Sequence, residues 1–456
     1  LGRRLVSATP MWIPDLDGRN PVRYLAIVEA LAEAIAGGAL RPGDRLPTHR
    51  DLAWTLGVNV STVTQAYREA ARRHLVAGEV GRGTYVLADS REATLFALGG
   101  EAVETMVDLS TNRPALDPDD TDLADALRGL LDGPGAAALQ GYPAPALLRR
   151  AQVAGAAWLA RRGLELRPAS VVPCAGAQQA LLAALLALCR PGDPVLVEEV
   201  TFPGIRAVAR QLDLRLVGVA MDGEGVLPEA LERAARASGA RVAVLVPVLQ
   251  NPTGAVMGHA RRAEVAEAAG RSGLTLVEDD VYGGLADMPP LAALCPGRAV
   301  LVSSLSKTVA PGLRFGFVAG GAPAMSAVAS ETHATVWQMS PIALELGCRW
   351  IEDGTAFARS GRQRAEVEAR WRLALGVLGR PAGRGQPSPH LWLPVQGCPE
   401  AAAERCRAEG AEVAPGTLFA AGRERPPFLR ASLTTPPTRR DLGLGLGRVA
   451  RALRAA

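Results

Sequence analysis

Lysine is nearly missing from this 456-residue chain: of its 50 basic residues, 49 are Arg and one, Lys307, is Lys. Aromatic residues are scarce, at 4%. An excess of one charge is missing too, since 50 basic residues meet 46 acidic ones and leave a formal +4. So small a balance does not by itself call for a nucleic-acid partner, although it leaves room for a local basic surface. The six cysteines, at 174, 189, 295, 348, 398 and 406, share no short repeated spacing. That excludes a zinc knuckle or a disulfide framework and reads as small buried hydrophobes in a reduced compartment. The five histidines are dispersed and form no HExxH or other ligand cluster, so no metal is expected. The longest apolar stretch near a helix, AQQALLAALLALC at 177–189, is too short and too polar at its start to span a bilayer. Arg3, Arg4, Asp15, Asp17 and Arg19 break up the first twenty residues and leave no signal-peptide core. A cytoplasmic protein with no membrane partner is the expectation.

What is present is length and apolar content, 48% hydrophobic, enough for two or three packed domains. Residues 1–20 read as an arm with Trp12 as an anchor. Residues 21–87 read as short helices followed by a hairpin. Over 88–107 the composition turns to Ala, Glu, Gly and Ser, a linker in which REATLFALGG has some helical character. From 108 to 336 apolar runs recur: SVVPC (170–174), PVLVEE (194–199), LRLVGV (214–219), RVAVLVPV (241–248), LTLVEDD (274–280), AVLVSS (299–304) and RFGFVAG (314–320). Continuous apolar strands alternating with Ala/Leu/Arg-rich helices predict a mostly parallel α/β sheet covered on both faces. Residues 337–456 read as connecting helices to about 378, then HLWLPV, a helix, FLRASLT (428–434) and a last helix near 439–455, a smaller α/β lobe.

In the N-terminal segment, Val22, Leu25, Ile27/Val28, Leu31 and Ile35 form one apolar stripe on a helix. Thr48 is placed to cap a second helix, with Asp51 as its capping-box partner and Leu52, Ala53 and Leu56 facing inward. Gly57 ends it, and a third helix starts around 59–62 carrying Val63, Ala66, Tyr67 and Ala70. Two short helices around a Gly-containing turn match a helix-turn-helix. AGEVGRGTYV (77–86) suits a tight hairpin, a wing with Arg82 near its tip. In such a module the second helix of the pair enters the major groove of double-stranded DNA. Asn59, Ser61, Thr62, Thr64 and Gln65 are then base-edge candidates, and Arg45, Arg50, Arg68, Arg72, Arg73 and Arg82 phosphate candidates. The alternative is a small helical dimerisation or docking domain. Eight Arg against six acids between 21 and 86 give each copy a weak electrostatic grip, which favours binding as a dimer.

RPGDRLPTHRDLAWTLGVNVSTVTQAY followed by GRGTYV resembles the winged helix-turn-helix of GntR-type bacterial regulators. One departure is Val60, where a basic residue often follows the turn Asn.

In the large domain the lone lysine stands just beyond an apolar strand, in SSLSKTVAPGLRFGF, where open α/β folds commonly place active-site groups. An imine with an aldehyde needs a primary amine, which a delocalised guanidinium does not supply. The other strand ends meet the remaining needs of pyridoxal phosphate. Gly176, Ala177 and Gln178 open a helix whose amides can face a phosphate dianion. Ser304, Ser306 and Arg314 add hydroxyls and a cation. Asp279, with Asp280 as local competitor, can keep a pyridine nitrogen protonated. Asn251 in NPTG and Tyr282 can contact the ring oxygen, and Phe202 in TFPG can stack on the ring. Singly these are weak signals: NPTG is often only a turn, EDD a solvated loop, and a lone Phe core. Their joint order carries the weight.

GAQQ, NPTG, EDDVYG and SLSKTVAPGLRFGF, in that order, resemble the fold-type-I aminotransferases. With the winged helix in front, residues 20–456 resemble MocR-type regulators of the GntR superfamily. The resemblance implies that Lys307 holds the cofactor as an internal aldimine, Asp279 pairs with the pyridine nitrogen, and Asn251 and Tyr282 contact the ring oxygen. It further implies Ser304 and Arg314 at the phosphate, Arg430 of FLRASLT at a substrate α-carboxylate, and Tyr142 of LQGYPAPALLRR reaching the cofactor phosphate across a homodimer. Phe202 stands where relatives often have Tyr, and the Gly-rich spacing after Tyr142 is shortened. Two functions are expected from this. One is a regulator that senses an amine or amino acid through aldimine chemistry at Lys307. The other is an aminotransferase, moving an α-amino group between an amino acid and a 2-oxo acid, with the winged helix as an accessory.

Overall fold

The computed structural model describes residues 12–16, 19, 22–36, 39–40, 44–72, 75–79, 83–86, 106–115, 117, 120–133, 136–379, 386–422 and 424–454; of residues 36, 72, 77–79 and 322–323 it describes the backbone only. The chain divides into two compact units, 1–103 and 104–456. Arg73 and Arg82, the tip of the expected wing, and most of the expected linker lie outside the described residues.

The first unit is built from α1 (Arg23–Ala36), α2 (His49–Leu56), α3 (Val60–Arg72) and the antiparallel pair β1 (Val76–Glu79) and β2 (Gly83–Val86). The α1 stripe is buried at Leu25, Ile27, Val28, Leu31 and Ile35, whereas Val22 lies outside it at 41% exposure, one residue ahead of the helix. Thr48 caps α2 by accepting from the Asp51 amide at 3.2 Å, and its hydroxyl donates to the Asp51 carboxylate at 2.7 Å. Gly57 closes α2 at φ 63°, a left-handed position that a residue with a Cβ adopts only with strain. Trp12 packs against the core that α1, α2 and α3 share.

In the second unit the chain runs through β3 (Val107–Asp108), α4 (Asp122–Leu131), α5 (Pro145–Ala160), β4 (Val171–Cys174), α6 (Ala177–Leu188), β5 (Pro194–Glu198), α7 (Pro203–Gln211) and β6 (Arg215–Val219). The short pair β7 (Met221–Asp222) and β8 (Gly225–Val226) leads into α8 (Pro228–Ser238), β9 (Val242–Leu245), α9 (His259–Arg271), β10 (Thr275–Asp279), β11 (Ala299–Ser304), β12 (Gly316–Gly320) and α10 (Ala322–Val336). All seven apolar runs read from the sequence enter one seven-stranded sheet, in the order β4-β12-β11-β10-β9-β5-β6. Its strands are parallel except β12, which runs antiparallel to both neighbours. Successive residues feed opposite faces. Val300 and Val302 of β11 join one apolar cluster and Leu301 another, and Val244 and Leu245 of β9 are divided in the same way. This is why the strands read as continuous apolar runs.

The smaller lobe follows α11 (Pro341–Glu352) and α12 (Thr355–Leu378). It holds β13 (His390–Pro394), α13 (Pro399–Ala408), β14 (Ala411–Glu412), β15 (Ala414–Pro415), β16 (Phe428–Ser432) and α14 (Arg439–Arg454). One sequence boundary is corrected here. Residues just after 107, assigned to the large domain, start in the small lobe: β3 pairs with β14, and Leu109 is buried in the small-lobe core. A two-residue parallel pairing with a partner some 300 residues away leaves no local signature. Among the described residues no helix is long and apolar enough to cross a membrane.

Candidate cofactor site and DNA-facing helix

The parallel strands deliver their C-terminal ends to one edge of the sheet, and the reversed β12 delivers its start to the same edge. Its register places Gly316 beside both Ser304 and Cys174. Arg314, just before β12, therefore stands next to the first residues of α6 and the end of β11. Arg314 donates from Nη2 to the Ala175 carbonyl at 3.1 Å. Gly176, at φ 86°, makes this approach feasible, since a Cβ there would lie 2.5 Å from Arg314 Nη2.

These residues fit a phosphate. Helix α6 has no side-chain cap, and its first amides, at Ala177 and Gln178, have no intrahelical partner. The Gly176 amide is a correction to the expected triad, because it donates to the Cys174 carbonyl at 2.7 Å. Ser304 and Ser306 are buried, and Ser306 Oγ has no hydrogen-bond partner among the described residues. A cation, two open amides and a buried hydroxyl without a partner make a site built for an anion.

Lys307 follows directly. Its Nζ donates to the main-chain carbonyl of Asn112 at 2.7 Å. Burial, then the charge of Arg430, hold the amine down to about 8, against the pull of Asp279 in the other direction. Asp279 ends β10, is 6% exposed, and burial raises its carboxyl to about 6. Asp280 faces away, as strand alternation requires, and pairs with Arg162 at 3.1 Å. The structure so separates the two neighbouring carboxylates.

Asn251 and Tyr282 reach the same region. Asn251 Oδ1 accepts from Arg430 Nη1 at 3.0 Å, which leaves the amide Nδ2 to donate. Tyr282 is buried, and its hydroxyl accepts from Asn112 Nδ2 at 2.9 Å, so its own proton is free to donate. Arg430, on β16, is 3% exposed, lies over the Phe419 ring at 4.9 Å and donates from Nη2 to the Ser110 carbonyl; its Nε is buried without a partner among the described residues. Phe202 is half-buried, packed against the α6–α7 side of the sheet, with its ring over Gly204. Tyr142 is 75% exposed and is not brought to the other site residues within this chain.

Sequence reasoning missed Ser110, Asn112, Arg113, Gln250 and His390. Asn112 Nδ2 has two protons and donates one to Tyr282 and one to His390 Nδ1 at 2.9 Å. His390 Nε2 then donates to the Gln250 carbonyl at 2.9 Å, which defines the neutral tautomer. Burial, with Arg430 nearby, lowers its pKa to about 3. The apolar HLWLP strand, whose leading His is buried together with the three residues after it, was the one available signal.

In the first unit, Ser61, Gln65 and Arg68 recur at i, i+4 and i+7 on α3 and are all exposed. Asn59 accepts from the Ser61 amide at 3.0 Å and so acts as a cap of α3. Thr62 and Thr64 are half-buried, and Thr64 donates its hydroxyl to the Val60 carbonyl at 2.9 Å. The Thr64 hydroxyl is thereby engaged by its own helix, which the sequence expectation did not include. Arg45 and Arg50 are exposed; the side chain of Arg72 lies outside the described residues.

Residues 23–86 match the family model of bacterial regulatory proteins, gntR family, and residues 104–366 that of aminotransferase class I and II. The uncharacterized HTH-type transcriptional regulator YjiR of Escherichia coli (strain K12) is 30% identical over 66% of this chain and 69% of its own length. The HTH-type transcriptional regulator TauR of Rhodobacter capsulatus is 29% identical over 93% of this chain and 95% of its own. Among solved structures, the α-aminoadipate aminotransferase LysN of Thermus thermophilus, complexed with N-(5'-phosphopyridoxyl)-L-leucine, shares the fold. Its TM-score is 0.70, at 24% identity, over 77% of this chain and 93% of that one.

Proposed function

Because the chain belongs to the aminotransferase class I and II family, with a gntR-family regulatory domain ahead of it, we propose that it is a DNA-binding transcriptional regulator that uses pyridoxal 5'-phosphate to sense an amine or amino acid. When bound, the cofactor supplies an aldehyde that exchanges one primary amine for another and a ring that accepts electrons. The side chains then have distinct tasks. Arg314, Ser304, Ser306 and the amides of Ala177 and Gln178 hold the phosphate. Asp279 keeps the ring nitrogen protonated, and Asn251 and Tyr282 donate to the ring oxygen. Lys307 carries the attachment, and Arg430 takes the carboxylate of the incoming amino acid. Phe202 is the candidate for the ring face.

One observation carries the sensing reading. The two ligand-facing donors, Lys307 and Arg430, are both tied to carbonyls of one short segment, Asn112 and Ser110 respectively. That segment directly follows β3, the first described strand after the residues that join the two units. A ligand that takes over either donor frees a carbonyl of this segment, so occupancy of the site acts on the chain leading to the DNA-binding unit. A homodimer completes the reading, since it presents two copies of α3 to two half-sites and leaves the exposed Tyr142 of each copy to face the other's phosphate.

The same residues suit transamination, because a lysine amine held to about 8 can take and return a proton near neutral pH. The experiment is binding of the full-length protein to DNA upstream of its own gene, with and without cofactor and candidate amines. Specific binding that changes with an amine supports the regulator. Absence of specific binding in every ligand state, together with turnover of the cofactor to its amine form, supports the enzyme instead.

A further inference from the structure

The cleft at Lys307 contains one cation that none of these tasks uses. Arg113 lines it beside Asn112, Lys307, Tyr282 and Gln363, and no acidic side chain lines it among the described residues. The other charges have partners in the reading above, on which this inference rests: Arg314 the phosphate, Arg430 one carboxylate, Asp279 the ring nitrogen. Arg113 is exposed and has no hydrogen bond or ion pair with any described residue. Its charge nevertheless acts on the Lys307 amine.

The backbone that carries Arg113 is fixed on both sides. The Asn112 side chain is bonded to Tyr282 and His390, and the Gln363 amide holds both the N–H and the carbonyl of Ala115, at 3.0 and 2.5 Å. Gln363 is thereby satisfied and offers the cleft little. Pro114 further restricts the conformation of Arg113. A guanidinium presented from an anchored backbone into a cleft without counter-charge is suited to a carboxylate-like group.

The geometry points to a second anion subsite: Arg113 reads a further negatively charged group on the bound amino compound, so the effector or substrate is acidic, in the manner of a dicarboxylic amino acid. Arg430 and Arg113 then bracket the ligand, and Lys307 lies between them in function as the group its amine displaces.

The test uses ligands that bind without chemistry. Succinate, glutarate and adipate are titrated by calorimetry against the full-length, cofactor-loaded protein, beside butyrate, valerate and hexanoate. The best dicarboxylate is expected to bind about 10-fold more tightly than the monocarboxylate of its length. Arg113→Gln is expected to erase that ratio while leaving monocarboxylate affinity unchanged, and Arg113→Lys to restore part of it. Equal affinities in the unaltered protein, or a ratio that survives in Arg113→Gln, would overturn the subsite. DNA binding with L-glutamate and L-glutamine is measured in parallel. An Arg113-dependent preference with no effect on DNA upholds the subsite and counts against the regulator. A DNA response to amino compounds without an Arg113-dependent preference does the reverse.

Discussion

Arg430 and Asn251 meet 3.0 Å apart where the small lobe faces the large sheet, with the guanidinium donating to the amide oxygen. That bond fixes the orientation of the Asn251 amide, so in the proposed site one residue on β16 would decide which atom of Asn251 faces the cofactor ring. Recognition of a ligand carboxylate and of the ring oxygen would be joined through it.

Replacing Arg430 by Lys should therefore do more than shorten a side chain. A lysine has neither the fork for a carboxylate nor a fixed donor for Asn251. Affinity for an amino acid, read from the change in cofactor absorbance, should fall by about 10- to 100-fold, in line with the loss of one or two charge-assisted hydrogen bonds. Attachment of the cofactor itself should remain. An unchanged amino-acid affinity would remove Arg430 from the carboxylate site.

Cofactor attachment should report the state of the Lys307 amine. Burial lowers its pKa, so the reactive neutral amine gains population as pH rises through about 8, well below the range of an ordinary lysine. The rate at which cofactor-free protein takes up pyridoxal phosphate should climb with that midpoint. Asp279→Asn removes a charge that favours the ammonium form and should shift the midpoint lower. Lys307→Ala should abolish the visible absorbance of lysine-attached cofactor, and persistence of that absorbance would refute the assignment.

His390 offers a stability test with a definite sign. Its pKa of about 3 in the fold lies below the unfolded value near 6.5, so between these limits the folded chain binds fewer protons than the unfolded one. Its contribution rises with pH across that window and is lost on acidification. Unfolding free energies from urea titrations at several pH values between 4 and 6.5 should separate the unaltered protein from His390→Gln by an amount that grows by up to about 1.4 kcal/mol per pH unit. Buried Glu198 and Glu278, both raised to about 7, act in the opposite direction, which is why the difference curve is the quantity to read. A flat difference would mean that His390 is not held neutral.

On α3, Gln65→Ala should relax sequence preference at one position of each half-site, by about 1–3 kcal/mol if it makes a bidentate base contact. Arg45→Ala should instead weaken binding to all sequences and reduce the salt slope by about 1 per copy. Thr64→Ala should leave specificity unchanged, since its hydroxyl belongs to the helix. Titrations against matched and mismatched duplexes at two salt concentrations distinguish these outcomes.

Much of this architecture is local in origin. An apolar strand of four to six residues, a Gly that opens α6, a Thr three residues before an Asp, and a single lysine after β11 are readable because their causes lie within a few residues. The seven apolar runs and their common sheet are the clearest instance. The same local reasoning proposed both Asp279 and Asp280, and only packing beside Arg162 separated them. It also proposed five readers at and just before α3, of which Asn59 caps the helix and Thr64 gives its hydroxyl to the Val60 carbonyl.

By itself, then, the sequence determined the two-part organisation, the sheet-forming runs and Lys307 as the sole primary amine of any side chain. Only the tertiary structure decided that Asn112, held in turn by His390, would be brought to that amine from a distant part of the chain. The reason is physical: hydrogen bonds such as Lys307 to Asn112 and His390 to Gln250 span 195 and 140 residues, and no periodicity or spacing within the sequence records a contact of that range.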